Sequence, residues 1–491
     1  MSFLSTRRFV AGAVLISAAV LLSSCGNTYR ATVGITNPPP PPTQNEYLPV
    51  VISQVPSQNG LASILDVAGD SLLVQVPVGQ TPVNVALGAG GGTAYVVNLA
   101  AQVGNYYQGS LSSFSVITTL QPGNVNTSSL NSQTNVFVQP ASPQPNLCVA
   151  GTVPNPPVFV NGNVIYVGQT GSNYVLPLAS NATSTGVPGV LSQLQTAGII
   201  TNFAGLTTGE RTYAIETGVD TVQVLDSYNL GSNSSPAISA TIPLTAGTGP
   251  NYGLMSPDGN YVYVMDCDGT VTVLSSQANG PVTLNAISPI TLPASSDGTP
   301  AGSPIGADYV NVNNVLVTAN TNGTGAPGTA SIINASAISA SFGHAVTVTV
   351  GKNPSGVAVL QSNDYAYVLN SSGDSSVAGQ SCGCSTVSVI NLTSKTTNPT
   401  TIPLTYSYAG STYACPVNGA TQIVSSPGTS YQQVFVLCTA QNPTDGAYYV
   451  YSIRTYQDAA VPSGQSSAAN VVNSVIPIAG IPQAMRMTPT R

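Results

Sequence analysis

The chain is poor in charged residues, and this shortage excludes one class of partner. Lysine and arginine number 9, aspartate and glutamate 16, and charged residues are only 5% of the 491 residues, against about 25% in an average soluble domain. No basic patch is present, so nucleic acid is not an expected partner. The acidic residues are likewise too sparse to form an acidic tail.

Histidine and helical periodicity are also scarce. His344 is the only histidine, and it precedes an outer strand predicted at 345–350, away from any predicted site. A serine–histidine–aspartate relay needs a positioned histidine base, which this residue does not supply. No long stretch shows the 3.6-residue spacing of an amphipathic helix. These absences favour an all-β fold and a protein that is not an enzyme.

The sequence contains a repeated motif of short β-rich runs instead of helical patterns. It is most complete at 250–259, 261–264 and 269–274, and weaker copies stand on both sides. An aromatic residue recurs at the second place of one strand, as in Tyr95, Tyr263 and Tyr367. Glycine (48) and proline (38) supply turns between short β-rich runs. Each copy reads as four strands, the number in a propeller blade.

These residues resemble the YVTN family of β-propeller repeats. The likeness rests on AYVVN at 94–98, AYVLN at 366–370 and SPDGNYVYVMDCDGTVTVL at 256–274. It implies a closed β-propeller of seven or eight four-stranded blades. Three strands at 47–52, 61–66 and 71–78 lack an innermost strand, and residues 481–487 form a lone one. The termini are therefore predicted to complete one blade, and our count of seven internal units plus this one favours eight.

The N-terminus predicts export and a lipid anchor. Arg7 and Arg8 precede an apolar run too short to span a bilayer comfortably. The sequence LSSCG at 22–26 resembles a bacterial lipobox. We predict a lipoprotein signal peptide at 1–24, a lipidated Cys25 with a proline-rich tether at 25–45, and the propeller at 46–491. The expected location is the cell envelope, with the outer membrane favoured in a bacterium that has two membranes.

Six further cysteines are expected on one face of the propeller, where loops between strands and between blades meet. An even number of cysteines outside the cytoplasm predicts disulfides, and six allow 15 pairings. We expect Cys382 or Cys384 to pair with Cys415 or Cys438. A thiolate metal site at Cys382-Gly383-Cys384 is the alternative. The six disulfide candidates are Cys148, Cys267, Cys382, Cys384, Cys415 and Cys438.

The same face collects polar side chains at the ends of the second strands. A ring of oxygens around one opening is the best candidate binding face. Asp266 and Asp268 are spaced like ligands of a calcium loop, although Asp-Gly is also an ordinary turn. The candidate residues are Asn98, Gln169, Glu216, Asp266, Asp268 and Asn370.

Arg486 departs from the repeat. It lies on the predicted innermost strand of the closing blade, where other blades have Ala86 and Ala358. Its side chain could point into the channel or pair with an acid between blades, and we favour the pair.

Three functions remain open. The sequence favours a monomeric, non-catalytic binding or scaffold lipoprotein without a cofactor, held to the membrane by its lipid and recognising an envelope protein or a glycan. The first alternative is a hydrolase similar to lactonase-type propellers. In that hydrolase Glu216, Asp266 and Asp268 would be ligands, calcium the candidate metal, and Arg486 would orient the substrate. The second alternative is a surface-layer or adhesive protein.

Overall fold

The structure is a computed structural model. It describes residues 48–67, 70–103, 106–116, 130–138, 148, 155–169, 173–180, 189–207, 211–227, 236–276, 283–284, 287–310, 313–323, 325–360, 365–373, 382–397, 401–427, 432–455 and 469–488. All strands belong to a compact unit, Pro39–Arg491. The predicted leader at 1–24 and the tether at 25–45, with the lipidation site Cys25, fall outside the described residues. Within those residues, no helix has the length and hydropathy needed to cross a membrane.

Eight antiparallel sheets form the blades of a β-propeller. In every blade the strand order runs from the channel outward. Blade 1 contains β4 (Pro82–Leu87), β5 (Thr93–Val103), β6 (Tyr106–Ser115) and β7 (Leu130–Val138), with a 3-10 turn at Ala89–Gly91; blade 2 contains β8 (Val158–Asn161), β9 (Val164–Gly168), β10 (Tyr174–Ala179), β11 (Gly189–Val190) and β12 (Leu194–Gln195); blade 3 contains β13 (Ile199–Gly205), β14 (Arg211–Thr217), β15 (Thr221–Asp226) and β16 (Ala237–Pro243); blade 4 contains β17 (Pro250–Met255), β18 (Tyr261–Asp266), β19 (Thr270–Ser275), β20 (Thr283–Leu284) and β21 (Ile290–Thr291).

The second half of the ring repeats this order. Blade 5 contains β22 (Ser303–Val310), β23 (Val315–Thr321), β24 (Pro327–Asn334) and β25 (Ala345–Lys352); blade 6 contains β26 (Pro354–Val359), β27 (Tyr365–Asn370), β28 (Thr386–Asn391), β29 (Thr396–Thr397) and β30 (Ile402–Pro403); blade 7 contains β33 (Ala420–Ser425), β34 (Gln433–Cys438), β35 (Tyr448–Arg454) and β36 (Val471–Ile478); blade 8 contains β37 (Ile481–Met487), β1 (Pro49–Gln54), β2 (Asn59–Asp66) and β3 (Ser71–Gln80). The outermost strand of blades 2, 4 and 6 is split into two short pieces. A hairpin of β31 (Thr405–Tyr408) and β32 (Ser411–Ala414), which the sequence did not predict, lies between blades 6 and 7.

The chain ends close the ring in blade 8, as predicted. β37 pairs antiparallel with β1, and Met485 lies opposite Val51. Closure pairs the two terminal strands with each other, so that both ends of the chain are held in one sheet. The prediction of a closed propeller of eight blades is confirmed.

The hydrophobic core is divided among the eight interfaces between neighbouring blades. Side chains alternate along each strand, so each sheet presents one apolar face to the preceding blade and one to the next. Each of eight clusters of buried residues spans one such interface. Val50 of blade 8, for example, packs in the same cluster as Val85 of blade 1. No blade has a core of its own, which explains why the sequence must repeat.

The aromatic residue of the repeat connects blades. It lies on the second strand and is buried in most copies, while its hydroxyl reaches the neighbouring blade beside the turn that joins the third and fourth strands. Burial raises the pKa of Tyr263 and of Tyr213, so these hydroxyls stay protonated and act as hydrogen-bond partners. The bonds join Tyr213 to Ser276 Oγ, Tyr263 to the Ala335 carbonyl oxygen (3.4 Å) and Tyr367 to Asn470 Oδ1 (2.8 Å).

Candidate functional site in the central channel

The polar residues predicted to form a binding face lie inside the blades. Asn98 and Asn370 are fully buried. Asn98 Nδ2 donates to Ser112 Oγ at 2.9 Å, and Asn370 Nδ2 donates to Ser388 Oγ at 2.9 Å. The preceding blade passes so close that a Cβ added at Gly79 would lie 2.6 Å from Asn98 Nδ2. These two asparagines therefore tie the second strand to the third within one blade.

Three other predicted residues occupy the same place. Glu216 Oε1 accepts hydrogen bonds from the amides of Ala197 (2.9 Å) and Gly198 (3.0 Å), which fixes the chain entering blade 3. Asp266 Oδ2 accepts from Thr272 Oγ1 at 2.7 Å. Gln169 is buried at this position in blade 2. The structure gives all three a role inside a blade and does not gather them around an opening.

The predicted calcium loop is a turn. Asp268 Oδ1 accepts hydrogen bonds from Thr270 N (3.0 Å) and Thr270 Oγ1 (2.7 Å). Asp266 is buried beneath it, and burial raises the pKa of its carboxyl to about 7, which disfavours the charged form that a calcium ion needs. Among the described residues, no three of His, Cys, Asp and Glu stand together as metal ligands. Asp266 and Asp268 therefore do not assemble a calcium site.

All six cysteines form disulfides, but the expected pairing is wrong. The bonds are Cys148–Cys267, Cys382–Cys384 and Cys415–Cys438. Cys384 forms an antiparallel β-bridge with Pro416, which holds it beside Cys415. The two cysteines are therefore close together, as predicted, but they are not disulfide partners. Because all six sulfur atoms are in disulfides, Cys382 and Cys384 present no thiolate pair to a metal in this structure.

The open space that can hold a ligand is the central channel. It has a volume of about 590 Å³ and is lined by the innermost strands of all eight blades, a size suited to a small molecule. Its lining is mostly apolar or backbone. Within the described residues, only Asp308 and Arg486 bring charge to it.

Several channel side chains cap the inner edges of neighbouring blades. An innermost strand has no partner on its channel side, so its amides need acceptors. Asn202 Oδ1 accepts from Gly253 N at 3.1 Å, and Gln422 Oε1 accepts from Met485 N at 2.6 Å. Asp308 Oδ2 does the same for Val359 N at 2.9 Å, and its Oδ1 accepts from Tyr309 N at 2.8 Å. Asp308 is thus held rigidly by two blades.

Arg486 is placed differently from these capping residues. Its Nη1 donates to the Met485 carbonyl oxygen at 3.0 Å, and within the described residues it forms no ion pair. The favoured pairing with an acid between blades is therefore not what the structure shows. Its side chain is exposed to solvent, as expected for a residue that lines an open channel. Desolvation lowers the pKa of this guanidinium, yet arginine remains charged.

Tyr252 faces Arg486 across the channel, since blades 4 and 8 are opposite in a ring of eight. Burial raises the pKa of the Tyr252 phenol, and the nearby charges of Arg486 and Asp308 act on it in opposite directions. Arg486 and Asp308 lie at equivalent positions of their innermost strands, opposite Val50 and Val317 of the respective second strands. A cation, an anion and a phenol thus converge on one volume, whereas the sequence had singled out only the arginine.

The comparisons with known proteins show the fold. No family model matches the chain, and no curated protein matches it. Among solved structures, AztD from Citrobacter koseri is 12% identical over 90% of this chain and 98% of its own, with a TM-score of 0.52. The dihydro-heme d1 dehydrogenase NirN is 13% identical over 89% and 74%, with a TM-score of 0.53. A periplasmic gluconolactonase of Pseudomonas aeruginosa, PpgL, is 15% identical over 90% and 98%, with a TM-score of 0.44.

These findings correct the favoured function. The prediction of a non-catalytic binding or scaffold module is wrong: the solved propellers similar to this chain include one named as a gluconolactonase, and the lactonase-like alternative fits the comparisons better. The physical reason for the error lies in the channel. Polar groups at the ends of the second strands form hydrogen bonds within the blades, whereas polar groups on the innermost strands face the open channel. The repeat pattern does not reveal this difference. The chain is a β-propeller whose innermost strands line a central channel.

Proposed function

We propose that this protein is a lactonase-like hydrolase whose substrate binds in the central channel beside Arg486. The observation that carries the proposal is a guanidinium without an ion-pair partner among the described residues, facing a phenol and a carboxylate in a cavity of about 590 Å³. The side chain is exposed to the solvent of the channel, so it is accessible to a ligand. A substrate oxygen that carries or develops negative charge would supply the counter-charge that the described residues do not provide.

Each of the three side chains has a chemical role in this proposal. Water adds to the lactone carbonyl, and the ring C–O bond then breaks to give a hydroxy acid. Arg486 stabilises the negative charge that develops on the carbonyl oxygen. The Tyr252 hydroxyl donates a hydrogen bond to the same oxygen or to the ring oxygen. Asp308 accepts the proton of the attacking water and returns it to the departing ring oxygen.

Asp308 is suited to this role by its fixed geometry. Its two carboxylate oxygens each accept one backbone amide, from Tyr309 and Val359. The surrounding apolar lining, with Phe159 and Leu254, would exclude bulk water and strengthen the electrostatic contribution of Arg486. This proposal requires no metal ligand from the strand ends.

The test is hydrolysis of a panel of small lactones and aryl esters by the purified oxidised protein. We expect turnover of at least one lactone. Arg486→Gln should reduce kcat/KM by about 100-fold or more, as is typical when a group that stabilises an oxyanion is removed, and Asp308→Asn should reduce kcat. Lys395→Gln is the matched control, because it removes one positive charge at a surface turn and should change nothing. No turnover of any substrate by the wild-type protein, or full activity of Arg486→Gln, would refute the proposal.

The propeller works outside the cytoplasm on a lipid tether. The apolar leader, the lipobox-like sequence at 22–26 and the five prolines at 38–42 support this location. Three disulfides in a chain of this kind are consistent with an oxidising compartment. Fractionation of cells that express the full chain tests the location.

A further inference from the structure

We infer that the Cys382–Cys384 disulfide is a thiol-exchange site, open to reduction by low-molecular-mass thiols while the other two disulfides persist. Cys382 is exposed, whereas Cys384 is only 2% exposed and its neighbours Cys415 and Cys438 are 0% and 1% exposed. Attack by a thiolate requires access to a sulfur atom. Of the six cysteines in disulfides, Cys382 alone presents its side chain openly to solvent.

The two ends of this disulfide are held very differently. Cys384 forms a β-bridge with Pro416, and the next residue, Ser385, donates its amide to the Cys415 carbonyl oxygen at 2.9 Å. Gly373 passes so close that an added Cβ would lie 2.6 Å from the Cys384 carbonyl oxygen. Cys384 is therefore fixed by backbone contacts that do not depend on the sulfur bond.

The other end depends on the sulfur bond far more. Gly383 adopts a left-handed backbone with φ of 57°, and an added Cβ there would meet nothing within 4 Å. Its carbonyl oxygen accepts one hydrogen bond, from Val417 N at 3.3 Å. The disulfide closes a loop with a sequence separation of 2, compared with 23 and 119 for the others. Chain-entropy stabilisation grows with loop length, so this bond adds least to global stability.

The exchange proceeds in two balanced steps. A thiolate attacks Cys382 Sγ and forms a mixed disulfide, while Cys384 Sγ leaves as a thiolate. A second thiol then attacks the mixed disulfide, which yields two protein thiols and one oxidised low-molecular-mass disulfide. Two electrons pass from the two thiols to the protein. The blades remain joined, because Cys384 keeps its bridge to Pro416 and the Cys415–Cys438 bond stays closed.

Reduction should have a local structural effect. The Gly383 segment is released, and the Val417 amide loses its acceptor. Val417 lies in the connection that leads into β33, the strand that places Gln422 in the channel lining. The thiol-exchange site thus controls the order of one rim of the channel without being part of it, and it does not depend on the proposed hydrolase function.

The experiment uses the full oxidised protein and reduced glutathione. Samples taken over time are alkylated, digested and analysed by mass spectrometry, so that each disulfide is followed separately. We expect Cys382 and Cys384 to be alkylated about tenfold or more faster than the other two pairs. Comparable rates for all three disulfides, or earlier opening of Cys148–Cys267, would overturn the inference.

Hydrogen exchange on the selectively reduced protein tests the local effect. The Val417 amide should exchange about tenfold or more faster after reduction, whereas the Ser385 amide, bonded to Cys415, should keep its protection and serves as the internal control. The Cys382→Ala/Cys384→Ala variant should reproduce the exchange pattern of the reduced protein. Unchanged exchange at Val417 in both samples would remove the proposed control of the channel rim.

Discussion

Replacing Asp266 by asparagine is expected to stabilise the propeller at neutral and alkaline pH. Asp266 is fully buried at the end of β18, and burial raises the pKa of its carboxyl from 3.8 to about 7. Blades 1, 5 and 6 have Asn98, Asn320 and Asn370 in this place, where a neutral amide donates to hydroxyls of the third strand. An aspartate side chain can donate such a hydrogen bond only while its carboxyl is protonated.

The magnitude follows from the change in pKa on folding. A carboxyl whose pKa is higher in the folded protein stabilises the fold at low pH, and this contribution is lost as the pH rises from the unfolded to the folded value. The difference between 3.8 and about 7 corresponds to about 4 kcal/mol in total, of which about 3 kcal/mol is lost between pH 5 and pH 8. The amide of an asparagine at this position does not titrate, so the Asp266→Asn variant should escape this loss.

The assay is unfolding by guanidinium chloride at pH 5 and pH 8 with the disulfides intact. The free energy of unfolding of the variant should exceed that of the wild-type protein by a larger margin at pH 8 than at pH 5. Comparing the two proteins cancels the contributions of the other titratable groups. If unfolding is irreversible, unfolding rates take the place of free energies. Asn98→Asp is the matched control, since the reverse change in blade 1 should impose the same kind of pH-dependent destabilisation. Parallel pH profiles for wild type and Asp266→Asn would refute the reasoning.

Three further changes test other parts of the structure. Asp70 is buried, desolvation raises its pKa to about 6, and Asn473 Nδ2 donates a hydrogen bond to its Oδ2. The stabilising contribution of the protonated Asp70 carboxyl is therefore lost between about pH 4 and pH 6. Asp70→Asn should raise the free energy of unfolding at pH 7 by up to about 3 kcal/mol. Gln422→Leu leaves the Met485 amide without its side-chain acceptor and should cost about 1–3 kcal/mol, measured as a lower denaturation midpoint. Cys25→Ser should move the protein from the membrane to the soluble fraction, and retention in the membrane would contradict lipidation.

The fold could be predicted because the repeat is enforced by physics at every blade. Tyr263 must reach the neighbouring blade, and Pro250 begins an innermost strand, so each copy keeps its recognisable residues. The closing blade was predictable for the same reason. The three N-terminal strands lack an innermost strand, and β37 is a lone innermost strand that pairs with β1. The hairpin β31–β32 was not predictable, because it is an insertion that no repeat position demands.

The disulfide partners could not be derived, because they depend on loop paths. Cys148 and Cys267 are 119 residues apart, and no local pattern in the sequence indicates that these two cysteines pair. The burial of Asn98 and Glu216 was hidden for a related reason. A polar residue at a strand end looks like a surface group in sequence, and only the neighbouring blade, which at Gly79 leaves no room for a Cβ beside Asn98, closes it off.

The proposed hydrolase site rests on departures from the repeat, not on its shared polar residues. Asparagine at the end of the second strand recurs in blades 1, 5 and 6 because each blade needs the same internal hydrogen bonds. At the channel position occupied by Arg486, blade 5 has Asp308, whereas blades 1 and 6 have Ala86 and Ala358, which pack in the core between blades. The guanidinium is exposed in the channel, and within the described residues it forms no ion pair. An exposed cation on the channel wall is available to an anionic ligand, which is the reasoning on which the proposed hydrolase site rests.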